Sequence, residues 1–532
     1  MRSVLSAPIV LAVLTFSASG AVFQYAATVA TEKGQSAAFL WIPPQATEVR
    51  GVVMSGMTLM EREFSKEARI RQACADQQLA IVFLKCGLAG PDLQKVLDDL
   101  AKVSGYRELS AAPLMFVGHS AGGPQAKACA ARMAARCFGL VQYRGGVPGG
   151  EGAVPPGVPA LVMIGQFDEF GGTMRREDGR ETWEGGRDAV AAFRAENERN
   201  LASLVVEPGA GHFAWSDRNA AYLALFIRKA AQACIAAAGP ADGAEPVALR
   251  QIDCRGGWLT DLTIKTKGEF QPAPYDQYRG DKAKAAWHFD QQMAQATVAY
   301  HAGGFGKKDQ FIKWNDPYWV DAGTRFFFTD LKWVGDGQTF EVHPAYDDAY
   351  PSPQPNGAGP RWLEAGKPVG HSAAPILIKQ VGGPVVPAGP NTFRMQFDGL
   401  APAGEGARVT FMAYSAGDAE HRYTERVGMM PRGFSGLKSG RAQTLTFPPV
   451  GDLKADSGPV ELKATSDAGL PVEYYVACGP AKIAGGKLEI SEVPARATFP
   501  ITVKVVACQF GRGVAPLVQT AVPVEQTIRI DK

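Results

Sequence analysis

The pentapeptide Gly118-His119-Ser120-Ala121-Gly122 constrains this chain more than any other stretch. An apolar run, residues 113–117, leads into it, and GPQAKACAARMAARCFG follows with helical character. A serine on a sharp turn between strand and helix is lifted clear of the sheet, and small neighbours let the backbone turn that tightly. The setting predicts a nucleophilic Ser120. Two similar words do not share it. Gly370-His371-Ser372-Ala373 ends in Ala374, and Ala413-Tyr414-Ser415-Ala416-Gly417 has no helix after it.

Residues 21–238 alternate between short apolar runs and amphipathic segments. Strands are predicted at 23–29, 37–42, 51–56, 79–86, 140–145, 160–165 and 201–208. Helices are predicted at 63–78, 92–103, 182–199 and 217–236. That alternation implies an α/β fold with a mostly parallel sheet covered on both faces. The Gly/Pro-rich stretch GGVPGGEGAVPPGVP leaves no room for a large cap between the strands it joins. The polar segment 171–186 is either a rim beside the site or a plain surface loop.

A serine nucleophile needs a base, an acid that orients the base, and oxyanion donors. Asp168 follows the strand at 160–165 in GQFDE, with Glu169 as its competitor, and His212 follows the strand at 201–208 in GAGHFAW. Loops at the carboxyl ends of parallel strands converge on one edge of a sheet, so Ser120, Asp168 and His212 can meet there. The backbone N–H of Ala121 and of Met57, just after the strand at 51–56, are the expected oxyanion donors. Glu61 and Glu63, just after that loop, are expected to form a charged first helical turn, with contact to substrate as the alternative.

On these residues the region resembles the α/β-hydrolase superfamily. The elbow, Asp168, His212 in a G-H-F loop and Met57 after the third strand carry the resemblance, which spans about two-fifths of the chain. It implies acyl transfer through Ser120 without metal or organic cofactor. The oxyanion loop reads SGMT rather than HGGG, which departs from the hormone-sensitive-lipase branch, although GHSAGG resembles that branch's elbow.

The rest of the 532 residues divides by composition. Residues 1–21 have the form of a signal peptide: Arg2, an apolar run at 7–16, and Ser19-Gly20-Ala21 as cleavage site. Residues 22–240 are the unit that resembles the α/β-hydrolases. Residues 241–306 are a linker with a helix at 282–300, in which Trp287-His288-Phe289-Asp290 either covers the site mouth or docks between domains. Residues 307–451 form a β-rich unit, whose aromatics Trp314, Tyr318, Trp319, Phe326, Phe327, Phe328 and Trp333 are read as core ahead of sugar-stacking surface. Residues 452–532 predict a β-sandwich. The words SDAGLPVEYYVACGPAKI, KLEI and FPITVKVVACQ resemble bacterial immunoglobulin-like modules, which often follow catalytic domains of secreted enzymes acting on polysaccharides.

A net charge of +2 with no basic block argues against nucleic-acid or anionic-membrane partners, and no segment after the leader has the form of a membrane span. The eight cysteines contain no C-x-x-C, so zinc has no support. Cys478 with Cys508 is the best candidate disulfide, Cys234 with Cys254 a weaker one, and Cys129 a buried thiol. Together these features predict a secreted or periplasmic serine esterase acting on a small-molecule or polysaccharide ester. A polyester depolymerase, a lipase, a peptidase and a non-catalytic carbohydrate-binding surface protein stand as alternatives. The sequence carries no signal for oligomeric state.

Overall fold

The computed structural model describes residues 23–56, 59–168, 170, 179–236, 248–263, 267–322, 325–352, 362–406, 408–430 and 436–532, of which 320–322 and 325–327 are described by their backbone alone. The expected leader, Met57, Glu169 and residues 171–178 lie outside the described residues.

The first unit runs β1 (Tyr25–Thr31), β2 (Gly34–Trp41), β3 (Gly51–Gly56), α1 (Met60–Lys66), α2 (Ala68–Asp76), β4 (Leu79–Leu84), α3 (Leu93–Ser104), β5 (Leu114–His119), α4 (Gly122–Arg132), β6 (Cys137–Tyr143), β7 (Ala160–Gly165), α5 (Glu184–Glu196), β8 (Ala202–Glu207) and α6 (Asp217–Cys234). Its strands form one eight-stranded sheet in the order β1-β2-β4-β3-β5-β6-β7-β8. The β1–β2 and β2–β4 pairs are antiparallel, and the pairs from β4 to β8 are parallel. The expected mostly parallel α/β sheet is therefore present.

The alternation of side chains along each strand supplies both faces. Phe116, Val82 and Leu140 join the cluster containing residues of α3, α4 and α5, while Met115, Ile81 and Val141 join the cluster containing residues of α1, α2 and α6. Every residue of β3, β4 and β5 is buried, as a parallel sheet between helical layers requires. The single helix expected at 63–78 is two. Glu67 between them is extended (ψ 124°), and its carboxylate accepts the Arg69 N–H at 3.3 Å, capping α2 in place of continuing α1.

The next segment folds along the outer edge of β8. It holds β9 (Trp258–Thr260), β10 (Ala273–Pro274), β11 (Ala286–His288) and α7 (Gln291–Ala302). The helix expected from 282 begins only after Asp290, whose carboxylate accepts the Met293 N–H at 3.0 Å. Trp287 and His288 lie in β11 and are buried. Ser203 Oγ, near the start of β8, donates to the Trp287 carbonyl, and the Val206 N–H donates to His301 Nε2 at 3.1 Å. This segment covers a sheet edge that otherwise presents unpaired backbone groups. The Trp287–Asp290 stretch packs beside the start of β8, while His212 follows its end, so the stretch docks and does not cover the site mouth.

The remainder is β-rich. A five-stranded sheet runs in the order Trp319–Ala322, Arg325–Phe328, Thr424–Met429, Thr410–Ser415, Leu377–Gly382, beside smaller antiparallel sheets. Val381, Met412, Val427 and Met429 from it join the same core cluster as Leu59, Met60 and Phe64, so this sheet packs directly on the first unit. The Trp314 ring meets Trp319 (5.9 Å) and Phe328 (5.3 Å), and Trp333 meets Phe340 (5.5 Å) and Phe510 (5.1 Å), an internal aromatic cluster. Ser372 and Ser415, from the two look-alike motifs, both bond the Tyr346 hydroxyl, at 3.0 and 2.6 Å, and serve packing.

The last unit returns to the first. Its Ala495, Arg496 and Thr498 N–H groups donate to the Pro44 carbonyl, the Tyr106 hydroxyl and the Ser104 carbonyl at 3.0, 3.0 and 3.2 Å. All eight cysteines are free thiols. Cys478 and Cys508 lie on neighbouring antiparallel strands, but Cys478 is opposite Lys504 and Cys508 is opposite Glu473. They sit at opposite ends of the ladder, beyond disulfide reach. Cys234 and Cys254 are each buried and unbridged.

Candidate active site

Ser120 sits between the last residue of β5 and the start of α4 with φ +52°. A non-glycine residue in this left-handed region is strained, and such strain collects at functional positions. The turn is held by the Ser120 N–H donating to the Tyr143 carbonyl (3.1 Å) and the Gly123 N–H donating to the Ser120 carbonyl (3.0 Å). Small residues are needed because backbones nearly touch. A Cβ at Gly118 would lie 2.0 Å from the Gly122 carbonyl oxygen, and one at Gly145 would lie 2.1 Å from the Ser120 carbonyl oxygen. Gly145→Ala is therefore expected to lower stability by about 1–3 kcal/mol and to slow modification of Ser120 by a fluorophosphonate. Thermal unfolding and mass spectrometry check the two effects.

His212 and Asp168 meet. His212 Nδ1 and Asp168 Oδ2 are 2.8 Å apart, and the other Asp168 oxygen accepts the Phe170 N–H at 3.0 Å. With Nδ1–H donating to the carboxylate, Nε2 is left to accept a proton. His212 is nearly buried, while the Phe170 ring stands half exposed with its centroid 4.4 Å from the imidazole. Phe213 closes another side at 4.7 Å.

His119 joins the serine turn to this pair. Its ring lies 5.0 Å from the His212 ring, and its Nε2 is 3.1 Å from the His212 carbonyl oxygen. A carbonyl only accepts, so His119 carries its proton on Nε2. Burial, reinforced by His212, holds the His119 imidazole well below its ordinary range, so it stays neutral. Ser120 thus adjoins a residue that touches His212, and Ser120, Asp168 and His212 gather at the carboxyl edge of the sheet. Ala121 precedes the first turn of α4, where backbone N–H groups have no intrahelical acceptor. The other expected donor, Met57, is outside the described residues.

Four further residues shape this site, and three of them, Arg144, Glu207 and Glu425, escape the sequence reading. Glu61 stands in the first turn of α1 as expected, but it is 1% exposed, accepts the His119 N–H at 2.7 Å and lies against Gly122. Arg144 follows β6 with φ +51° and ion-pairs with Glu207 at the end of β8. Glu425, from the five-stranded sheet, accepts the Gly211 N–H at 3.0 Å. Its place just after β3 is the one sequence hint for Glu61, and the other three have none. Glu63, also expected on that turn, is buried, and Lys66 pairs with it at 3.0 Å. Among the described residues, no group of three or more His, Cys, Asp or Glu side chains is arranged to hold a metal ion.

No known family model matches the sequence, and no curated protein matches it. Solved structures resemble part of it. An esterase domain from Rhodothermus marinus is 15% identical with a TM-score of 0.26, over 38% of this chain and 96% of that one. An α/β serine hydrolase without lid from Xanthomonas campestris is 17% identical with a TM-score of 0.27, over 40% and 94%. A dienelactone hydrolase from Anabaena variabilis is 18% identical with a TM-score of 0.24, over 39% and 95%.

Proposed function

We propose that this chain is an exported serine hydrolase that cleaves carboxylic esters through an acyl-enzyme. The observation that carries the reading is the His212–Asp168 pair at 2.8 Å, gathered with a left-handed Ser120 at the carboxyl edge of the sheet. Ser120 Oγ attacks the ester carbonyl carbon while His212 Nε2 takes the hydroxyl proton. Asp168 holds the imidazole's tautomer and stabilises its charged form. The oxyanion rests on the N–H groups of Ala121 and Met57. Collapse of the tetrahedral intermediate expels the alcohol, which leaves with the proton from His212. Water, deprotonated by His212, then adds to the acyl-Ser120 carbonyl, and the acid departs.

On this reading residues 1–21 are an export leader, and the substrates are acetyl or hydroxycinnamoyl esters on polysaccharides. The leader-like start and the C-terminal resemblance to immunoglobulin-like modules support that substrate class. A series of activated esters from acetyl to long acyl tests it. Ser120-dependent turnover that is highest on acetyl and falls steeply with chain length is the expected result. A long-chain optimum moves the reading to a lipase or polyester depolymerase. A folded protein that neither turns over any ester nor reacts with a fluorophosphonate is a binding protein.

A further inference from the structure

The His212 loop is held by a residue that the hydrolase-like unit does not supply. Glu425 stands on the strand Thr424–Met429 of the five-stranded sheet and is buried. One of its oxygens accepts the N–H of Gly211, the residue directly before His212, and lies 3.8 Å from Arg144 Nη1. The other accepts the Tyr423 hydroxyl at 2.7 Å. That Arg144 nitrogen makes no hydrogen bond to any described residue, while Nη2 of the same guanidinium pairs with Glu207. Glu207 also takes Ser216 Oγ at 2.6 Å and faces Arg218 at 3.7 Å. Arg218 in turn lies over the rings of Tyr300 and Tyr423.

This buried group connects the ends of three strands. Arg144 follows β6, whose Tyr143 carbonyl holds the Ser120 N–H. Glu207 ends β8, and its carbonyl accepts the Gln166 N–H, two residues before Asp168. Glu425 closes the arrangement at Gly211. Resting on the function proposed above, we infer that Glu425 is a positioning residue for His212, so that the hydrolytic centre is complete only with the β-rich region docked. Burial, with the charge of Glu207 second, pushes the Glu425 carboxyl up to about 8. Glutamine keeps the acceptor: its carbonyl oxygen reaches the Gly211 N–H, and its amide meets the Tyr423 hydroxyl, which accepts as well as donates.

The experiment compares full-length wild type, Glu425→Ala and Glu425→Gln. It reads kcat and KM on an activated acetyl ester, the acid limb of the kcat/KM profile, and the low-field proton resonance of the Nδ1–H between His212 and Asp168. His212→Ala identifies that resonance by its loss. Glu425→Ala is expected to lose about 10²-fold in kcat with KM within about threefold, because small misplacements of a catalytic group cost that much. Its acid limb shifts and its resonance broadens, while Glu425→Gln keeps all readouts near wild type. A Glu425→Ala protein with reduced melting temperature but unchanged resonance and acid limb overturns the inference, as does a Glu425→Gln protein equally impaired. If Glu425→Ala does not fold, Glu425→Asp, which keeps the carboxyl but retracts it by one methylene, is read the same way. If wild type cleaves no ester, the functional reading fails, and the resonance alone still decides the role of Glu425.

Discussion

Ser120→Ala is expected to lower kcat on activated esters by about 10⁴–10⁶-fold while KM stays within about threefold. On the function proposed above, the substitution removes the attacking oxygen and leaves the His212–Asp168 pair in place, so binding is expected to survive and covalent chemistry is not. Alanine is at least as compact as serine in a left-handed turn already held by Tyr143 and Gly123. The folded state should therefore change little, and the loss is chemical. Steady-state kinetics, with a fluorophosphonate label on wild type as active-site count, measure it. Hydrolysis at the wild-type rate in this variant would remove Ser120 from the reaction.

The second large effect is on stability in acid. His288 and His301 are buried and neutral, and burial lowers each to about 3, with charged neighbours adding to the shift. His301 must be unprotonated on Nε2 to accept the Val206 N–H, and His288 shares its Nε2 with the Thr260 hydroxyl at 2.8 Å. The native chain resists protonating both, while the unfolded chain protonates them below about pH 6.5. Their contribution is thus full above pH 6.5 and is lost as pH falls toward 3. The slope is about 1.4 kcal/mol per pH unit for each histidine. Urea unfolding between pH 7 and 4 should show it, and His301→Gln should remove one histidine's share. An identical slope in that variant would exclude His301 as a source.

What is legible in the sequence is what depends on neighbours along the chain. The runs at 51–56 and 160–165 match β3 and β7 because each is a short apolar segment between turn residues. Asp168 and His212 can be picked out because each follows such a run. The break at Glu67 is hidden, since a glutamate inside a helical pattern favours the helix until it turns to cap the next one. Trp287 and His288 fit a helical pattern equally well, and only their pairing with Trp258–Thr260 makes them a strand. Cys478 and Cys508 look paired until register separates them. Glu425 carries no local mark at all, because its role exists only where two distant parts of the chain dock.

That docking also orders events in time. Roughly 210 residues of chain separate His212 from Glu425, and at about 5–20 residues per second a ribosome needs on the order of 10–40 s to add them. Through that interval the Gly211 N–H has no Glu425 to donate to. The last unit, which bonds back onto residues 44–106, arrives later still. On the function proposed above, a chain assembled in this order completes its site only once residue 425 has been added and docked.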